Sequence, residues 1–309
     1  MKIHRQKRDW RSAAFRGATG FATLLILVIL AVILGNILWN GAALMSLRFI
    51  FGGTTEGMFD VQKAGIFPMI FGTVALVFLM TLGVVPVGVL TAVYLTEYAR
   101  GTSIITRIIR SAINNLAGVP SIVFGLFGLG FFVQFVGSGL DKMFYGGQLH
   151  YAKPALIWAA ATMAVLTLPV VIVATEEALR AVPNGLREGS LALGATKLGT
   201  IRKVVLPQAL PGILTGAILA VGRGAGEVAP IMFTGAAYYL AHLPKAPTDQ
   251  FMHLGYHVFV LSTQSPDVER TKPILYGTVL VLLALTFLLN LTAVLVRAGI
   301  RAKLRAANG

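Results

Sequence analysis

Arg223 and Glu227 stand four residues apart in a stretch, 208–243, that is otherwise almost entirely apolar. Ionised side chains at such depth are expensive and face a cavity or a partner. A guanidinium has a fixed positive charge and a planar fork that fits the oxygens of an oxyanion such as phosphate. A carboxylate one turn further on competes for that guanidinium. The chemistry is then reversible anion recognition along a path, not bond making. A purely structural pair on one helix face is the second explanation, and the spacing allows both. Glycines at 222, 224 and 226 keep the surrounding surface narrow.

Other reactive groups are sparse. The chain has no cysteine, so thiolates and disulfides are excluded. His4, His150, His242, His253 and His257 lack metal-ligand spacing and are expected at exposed or interfacial positions. Ser138, between Gly137 and Gly139, has no companion base. Gly194-Ala195-Thr196-Lys197 lacks the G-x-x-x-x-G-K-[ST] spacing of a phosphate-binding loop. No catalytic residue, metal or resident cofactor is expected.

The elements that must position Arg223 are membrane helices. Of the 309 residues, 56% are hydrophobic and 12% charged, with mean hydropathy +0.78. Soluble domains carry about 25% charged residues. The long apolar runs also exclude a β-barrel, whose strands alternate. The fold class is therefore all-α, a polytopic membrane protein with six transmembrane helices. They fall near 20–40, 67–95, 113–136, 155–175, from about Gln208, and 274–297. The basic start resembles a signal peptide, but the run Phe21 to Trp39 is long enough to span and is expected to be retained.

Net charge is +14, from 26 Lys and Arg against 12 Asp and Glu. The basic residues lie between the apolar runs, so they report topology and not nucleic-acid binding. Eighteen fall in the N-terminal tail, after the second and fourth spans, and in the C-terminal tail; seven fall on the other side. That asymmetry predicts both termini in the cytoplasm.

Two regions exceed a simple span count. From 208 to 243 the predicted form is a span ending near Val228, then a short helix from Pro230 to about Leu240; a long tilted helix is the alternative. Residues 176–207 are amphipathic, with Leu179, Leu186, Ser190 and Leu193 on one stripe. Two short helices joined at Gly194 are predicted, with Pro183 in a first turn and Pro207 opening the next span. An interfacial helix on lipid headgroups is the alternative.

The stretch from Glu188, EGSLALGATKLGTIRKVVLP, resembles the cytoplasmic loop signature of permease subunits of bacterial ABC importers. Gly189 and Ser190 stand where that signature has two alanines, and Val204 where it has isoleucine. Leu186, Arg187, Glu188, Gly189, Ser190, Gly194 and Pro207 are accordingly the candidate ATPase-coupling residues. Small residues allow close approach, the glycine allows a sharp turn, and Arg187 and Glu188 would fix the register at the rim.

Four more stretches narrow the resemblance: GVVPVGVLTAVYLTEYA from Gly83, NNLAGVPSIVFGLFGLG from Asn114, GRGAGEVAPIMFTGAA from Gly222 and DQFMHLGYHVFVLSTQ from Asp249. Together they resemble permeases of the phosphate-specific transport system, and the Glu227-to-Gly235 run resembles the PstA-type more than the PstC-type subunit. The resemblance implies a type I ABC importer permease fold. It implies a PstC-type homologous permease, a PstB-type ATPase dimer that binds the ATP, and a PstS-type phosphate-binding protein outside. The domain expectation is a tail, first span and outer loop over 1–66, a permease domain over 67–299 with coupling loop 176–207, and a tail over 300–309. Sulfate or molybdate as cargo, a membrane enzyme and a passive channel are the competing functions.

Overall fold

The computed structural model describes residues 10–54, 57, 59–99 and 103–308, with the side chains of 11 and 303–308 excepted. The expected basic positions 2, 5, 7, 8 and 100, and His4, lie outside the described residues. Among the described residues, six helices are long and apolar enough to cross a membrane. They are carried by α1 (Trp10–Gly41, which runs on through a 3-10 turn, Ala42–Leu44), α3 (Phe67–Tyr98), α5 (Ser121–Phe144), α6 (Leu156–Arg180), α8 (Lys197–Gly226) and α11 (Val268–Asn308). Five shorter helices complete the order: α2 (Leu47–Phe51), α4 (Ile104–Ala117), α7 (Asn184–Ala192), α9 (Ala229–Thr234) and α10 (Leu254–Thr263). No strand occurs among the described residues, only one isolated bridge between Ala236 and Phe251.

Helix α6 is the axis of the bundle. In its most apolar window 61% of residues are buried, against none in that of α1. Close approach to α6 depends on missing side chains. A methyl group at Gly88 of α3 would meet Val171, and one at Gly212 or Gly216 of α8 would meet Ala178 or Ala174. Without a hydrophobic driving force inside lipid, such close packing is what holds helices together. Leu76, Met80, Met163 and Leu166 fill the seam between α3 and α6.

Three sequence expectations are corrected. The third span is Ser121–Phe144, not 113–136. Pro120 restricts the residue before it, and the chain breaks at Gly118–Pro120. This leaves α4 as a separate amphipathic helix. The helix after Val228 spans only Ala229–Thr234 and does not reach Leu240. At Gly235 the chain passes against Ala155 too closely for a Cβ, then Ala237 pairs with Phe251. This returning segment supplies carbonyls to the free N–H groups at the start of α6: Thr234 to Ala155, Asp249 to Leu156, Pro247 to Ile157. Finally, Pro207 lies inside α8, which begins ten residues earlier; a wide turn at Ile201–Val205 precedes it. The second helix of the loop is thus the first turns of the fifth span.

Candidate functional site

The loop between α6 and α8 folds as a helix, a turn and a helix. Pro183, with ψ 136°, starts α7. Gly194 takes φ +86°, a region that L side chains rarely adopt, and turns the chain toward Thr196. The Thr196 hydroxyl caps α8 by accepting from the Gly199 N–H at 3.1 Å. Ser190 Oγ lies 2.9 Å from Thr200 Oγ1 and ties the two helices together. No atom approaches within 4 Å of a Cβ built at Gly189 or Gly194, so that face is open.

The expected leucine stripe divides. Leu179 is fully buried in the core between α6 and α8, whereas Leu193 is 91% exposed. Leu186, Leu191 and Leu198 are also exposed, and so is Glu188. An apolar cap therefore projects from the loop.

Arg187 is not at the rim. Its side chain is only 17% exposed, turned back under the bundle. Nη1 donates to Val182 O at 2.6 Å and Nη2 to Leu179 O at 2.7 Å, where α6 ends; Leu179 O also accepts from the Val182 N–H at 3.3 Å. Nε and Nη2 donate to Glu97 Oε1 at 3.3 and 2.9 Å. Carbonyl oxygens at a helix C-terminus attract a nearby multi-donor cation, and the Glu97 carboxylate adds to that pull.

Glu97 was not visible as a site residue in the sequence, nor was Glu176. Glu176 Oε2 accepts from Arg110 at 2.7 Å and Arg180 at 3.2 Å. The i,i+4 spacing of Glu176 and Arg180 was the available signal. Between these two ion clusters opens a cavity of about 540 Å³, lined by Thr96, Glu97, Arg110, Arg180, Asn184 and Arg187 among others.

Arg223 and Glu227 do meet: Nε donates to Oε1 at 3.3 Å. Arg223 belongs to the last turn of α8, and Glu227 is the first extended residue after it. Their side chains are 41% and 22% exposed, so this is an accessible pair and not a buried one. A Cβ at Gly224 would come 2.6 Å from the Met80 sulfur of α3. A Cβ at Gly222 would face the Asn290 amide of α11, whose oxygen is buried without a partner among the described residues. Gly226 is open. The glycines thus have different neighbours on either side of Arg223.

Two histidines depart from the expectation of exposure. His253 and His257 are 1% and 4% exposed, in and beside the short helix α10. His253 Nδ1 caps that helix by accepting from the Gly255 N–H at 3.1 Å. Burial pushes the His253 imidazole down to about 3 and His257 to about 4. Among the described residues, no cluster of three or more His, Cys, Asp or Glu could hold a metal.

The family described as binding-protein-dependent transport system inner membrane component matches residues 84–305. A probable ABC transporter permease of Bacillus subtilis, YqgI, is 37% identical over 220 residues, 70% of this chain and 69% of that one. A probable phosphate transport system permease protein PstA of Methanocaldococcus jannaschii is 32% identical over 283 residues, 91% of each chain. Against some other phosphate permeases the match spans about half of their own length. Among solved structures, a chain of a bacterial alginate ABC transporter shares the fold at TM-score 0.62 and 15% identity, over 93% of this chain and 96% of that one.

Proposed function

The chain belongs to the binding-protein-dependent transport system inner membrane component family, and from that premise we propose that it is the PstA-type permease subunit that carries inorganic phosphate inward. It is a multi-pass inner membrane protein of the ABC transporter class. The observation that carries the cargo is the full-length similarity to a probable PstA protein, 32% over 91% of each chain. Its partners are a PstC-type permease, a PstB-type ATPase dimer and a PstS-type phosphate-binding protein. ATP is bound by the ATPase partner, and this chain has no resident cofactor. Both termini are cytoplasmic.

Residues 184–200 form the face that docks on the ATPase. The exposed Leu186, Leu191 and Leu193 enter an apolar groove, and Gly189 and Gly194 allow close contact. Arg187 supports that helix from behind. Arg223 offers the anion a transient site, with Glu227 competing for it, so that binding is strong enough to admit phosphate and weak enough to release it.

The test is reconstitution of the chain with its permease and ATPase partners in lipid vesicles, with the phosphate-binding protein and labelled phosphate outside. ATP-dependent uptake that excess unlabelled phosphate competes away, and sulfate or molybdate does not, is the expected result. Preferential competition by sulfate or molybdate would assign the cargo to another oxyanion. Uptake without ATP would point to a passive channel.

A further inference from the structure

The last turn of α3, Tyr94–Tyr98, is a wide one: Ala99 N–H bonds Tyr94 O at 2.8 Å, five residues back. Such turns displace carbonyls from the regular ladder and often mark functional positions. Three cations from three different elements converge on it. Arg110 of α4 donates from Nη2 to Leu95 O at 3.0 Å. Arg187 of α7 donates twice to Glu97 Oε1. Lys197, at the start of α8, lies 4.9 Å from the centre of the Tyr98 ring. The Glu97 side chain is only 10% exposed.

The other end of the relation lies within α3 itself. Met80 is fully buried and touches the position of Gly224, the neighbour of Arg223. Glu97 is seventeen residues beyond Met80 on the same helix, roughly 25 Å along its axis. A single packed element thus contacts the loop helix at one end and the Arg223 turn near its middle.

We propose that Glu97 is a positioning residue for transport: it is the socket through which movement of α7 is passed to α3, and through Met80 against Gly224 to the Arg223 turn. This rests on the assignment of 184–200 as the ATPase-docking face. An ion pair with two bonds to one oxygen, in a part-buried setting, resists sliding better than apolar contact alone. Force on α7 therefore pulls the Tyr94–Tyr98 turn with it. The carbonyl bonds of Arg187 to Leu179 and Val182 keep the cation from yielding instead.

The chain's lack of cysteine allows a direct test in the reconstituted complex. Spin labels on Leu82→Cys of α3 and Leu219→Cys of α8, both exposed positions, report the distance between the helices with and without a non-hydrolysable ATP analogue. In the labelled parent the distance changes with nucleotide. In Glu97→Ala the ATPase still co-purifies and hydrolyses ATP, the distance change disappears, and phosphate moved per ATP falls by roughly tenfold. Glu97→Gln keeps an acceptor oxygen and gives an intermediate value. A parental distance change and parental phosphate-to-ATP ratio in Glu97→Ala would overturn the proposal. So would loss of ATPase association in both variants, which would reduce Glu97 to a folding contact. If Glu97→Ala alone fails to assemble, Glu97→Gln decides: parental coupling there also overturns it. Parent vesicles that hydrolyse ATP without taking up phosphate would refute the cargo, and the distance change would still measure the Glu97 link.

Discussion

Ser190 Oγ lies 2.9 Å from Thr200 Oγ1, joining α7 to the first turns of the fifth span across the Gly194 turn. The hydroxyl contact makes the loop one hinged unit and not two independent helices. Thr200 is buried and Ser190 is partly so, which shields the bond from water.

Ser190→Ala removes that bond and should cost the loop about 1 kcal/mol. Amide hydrogen exchange over residues 184–196 is expected to speed up several-fold relative to the parent, with the six spans unchanged. Unaltered exchange in the loop would show that packing alone holds α7.

Gly194 has φ +86° and open space around its Cβ position. Substitution there is therefore penalised by backbone conformation and not by collision. Asparagine tolerates the left-handed region best, alanine less, and the β-branched valine least, at a cost of about 1–2 kcal/mol. Phosphate-linked ATP hydrolysis should fall progressively from Gly194→Asn through Gly194→Ala to Gly194→Val while membrane insertion is kept. Equal activity in all three variants would remove the turn from the coupling role.

The accessible Arg223–Glu227 pair predicts that assembly does not depend on it. Arg223→Gln should abolish phosphate uptake with the ATPase still recovered in pull-down. Arg223→Lys retains the charge without the fork and should be impaired. Glu227→Gln should slow release more than it affects assembly. Full uptake by the double variant Arg223→Gln with Glu227→Gln would show that neither side chain lines the path.

Gly224→Val places methyl groups against Met80, whose sulfur is 2.6 Å from the Cβ position. Overpacking of this kind costs about 1–3 kcal/mol. Uptake should drop, and Met80→Ala in the same chain should recover part of it. Absence of any recovery would place the fault elsewhere than the α3–α8 contact.

His253 and His257 are neutral when folded, with burial holding them at about 3 and about 4, below the ordinary value of 6.5. The unfolded chain binds protons first as pH falls, so stability declines below about pH 6.5 and continues to decline to about 4 for His257 and about 3 for His253. The melting temperature of the purified protein is expected to fall between pH 7 and pH 5. His257→Leu should flatten that dependence while keeping the His253 cap. A slope unaffected by His257→Leu would assign it to other groups.

Hydropathy alone determined that this is a membrane chain with six spans among the described residues, because a span must be long and apolar wherever it packs. The break after Arg223 was also local: three glycines and Pro230 interrupt the ladder, and α8 does end at Gly226. So was the turn at Gly194, because a glycine between two amphipathic segments suits a left-handed conformation. Tertiary structure decided what those signals could not reach. Arg187 was expected at the loop's rim, but the carbonyls of Leu179 and Val182 at the end of α6 and the carboxylate of Glu97, 90 residues away, drew it inward. Helix α9 stops at Thr234 because Gly235 must pass Ala155 at the start of α6. His253 and His257 are buried because residues 251–261 pack beneath α3 and α11, a contact no local pattern encodes. Periodicity and turn chemistry act over a few residues; the pairing of charges and the burial of polar groups depend on which distant helices the packing brings together.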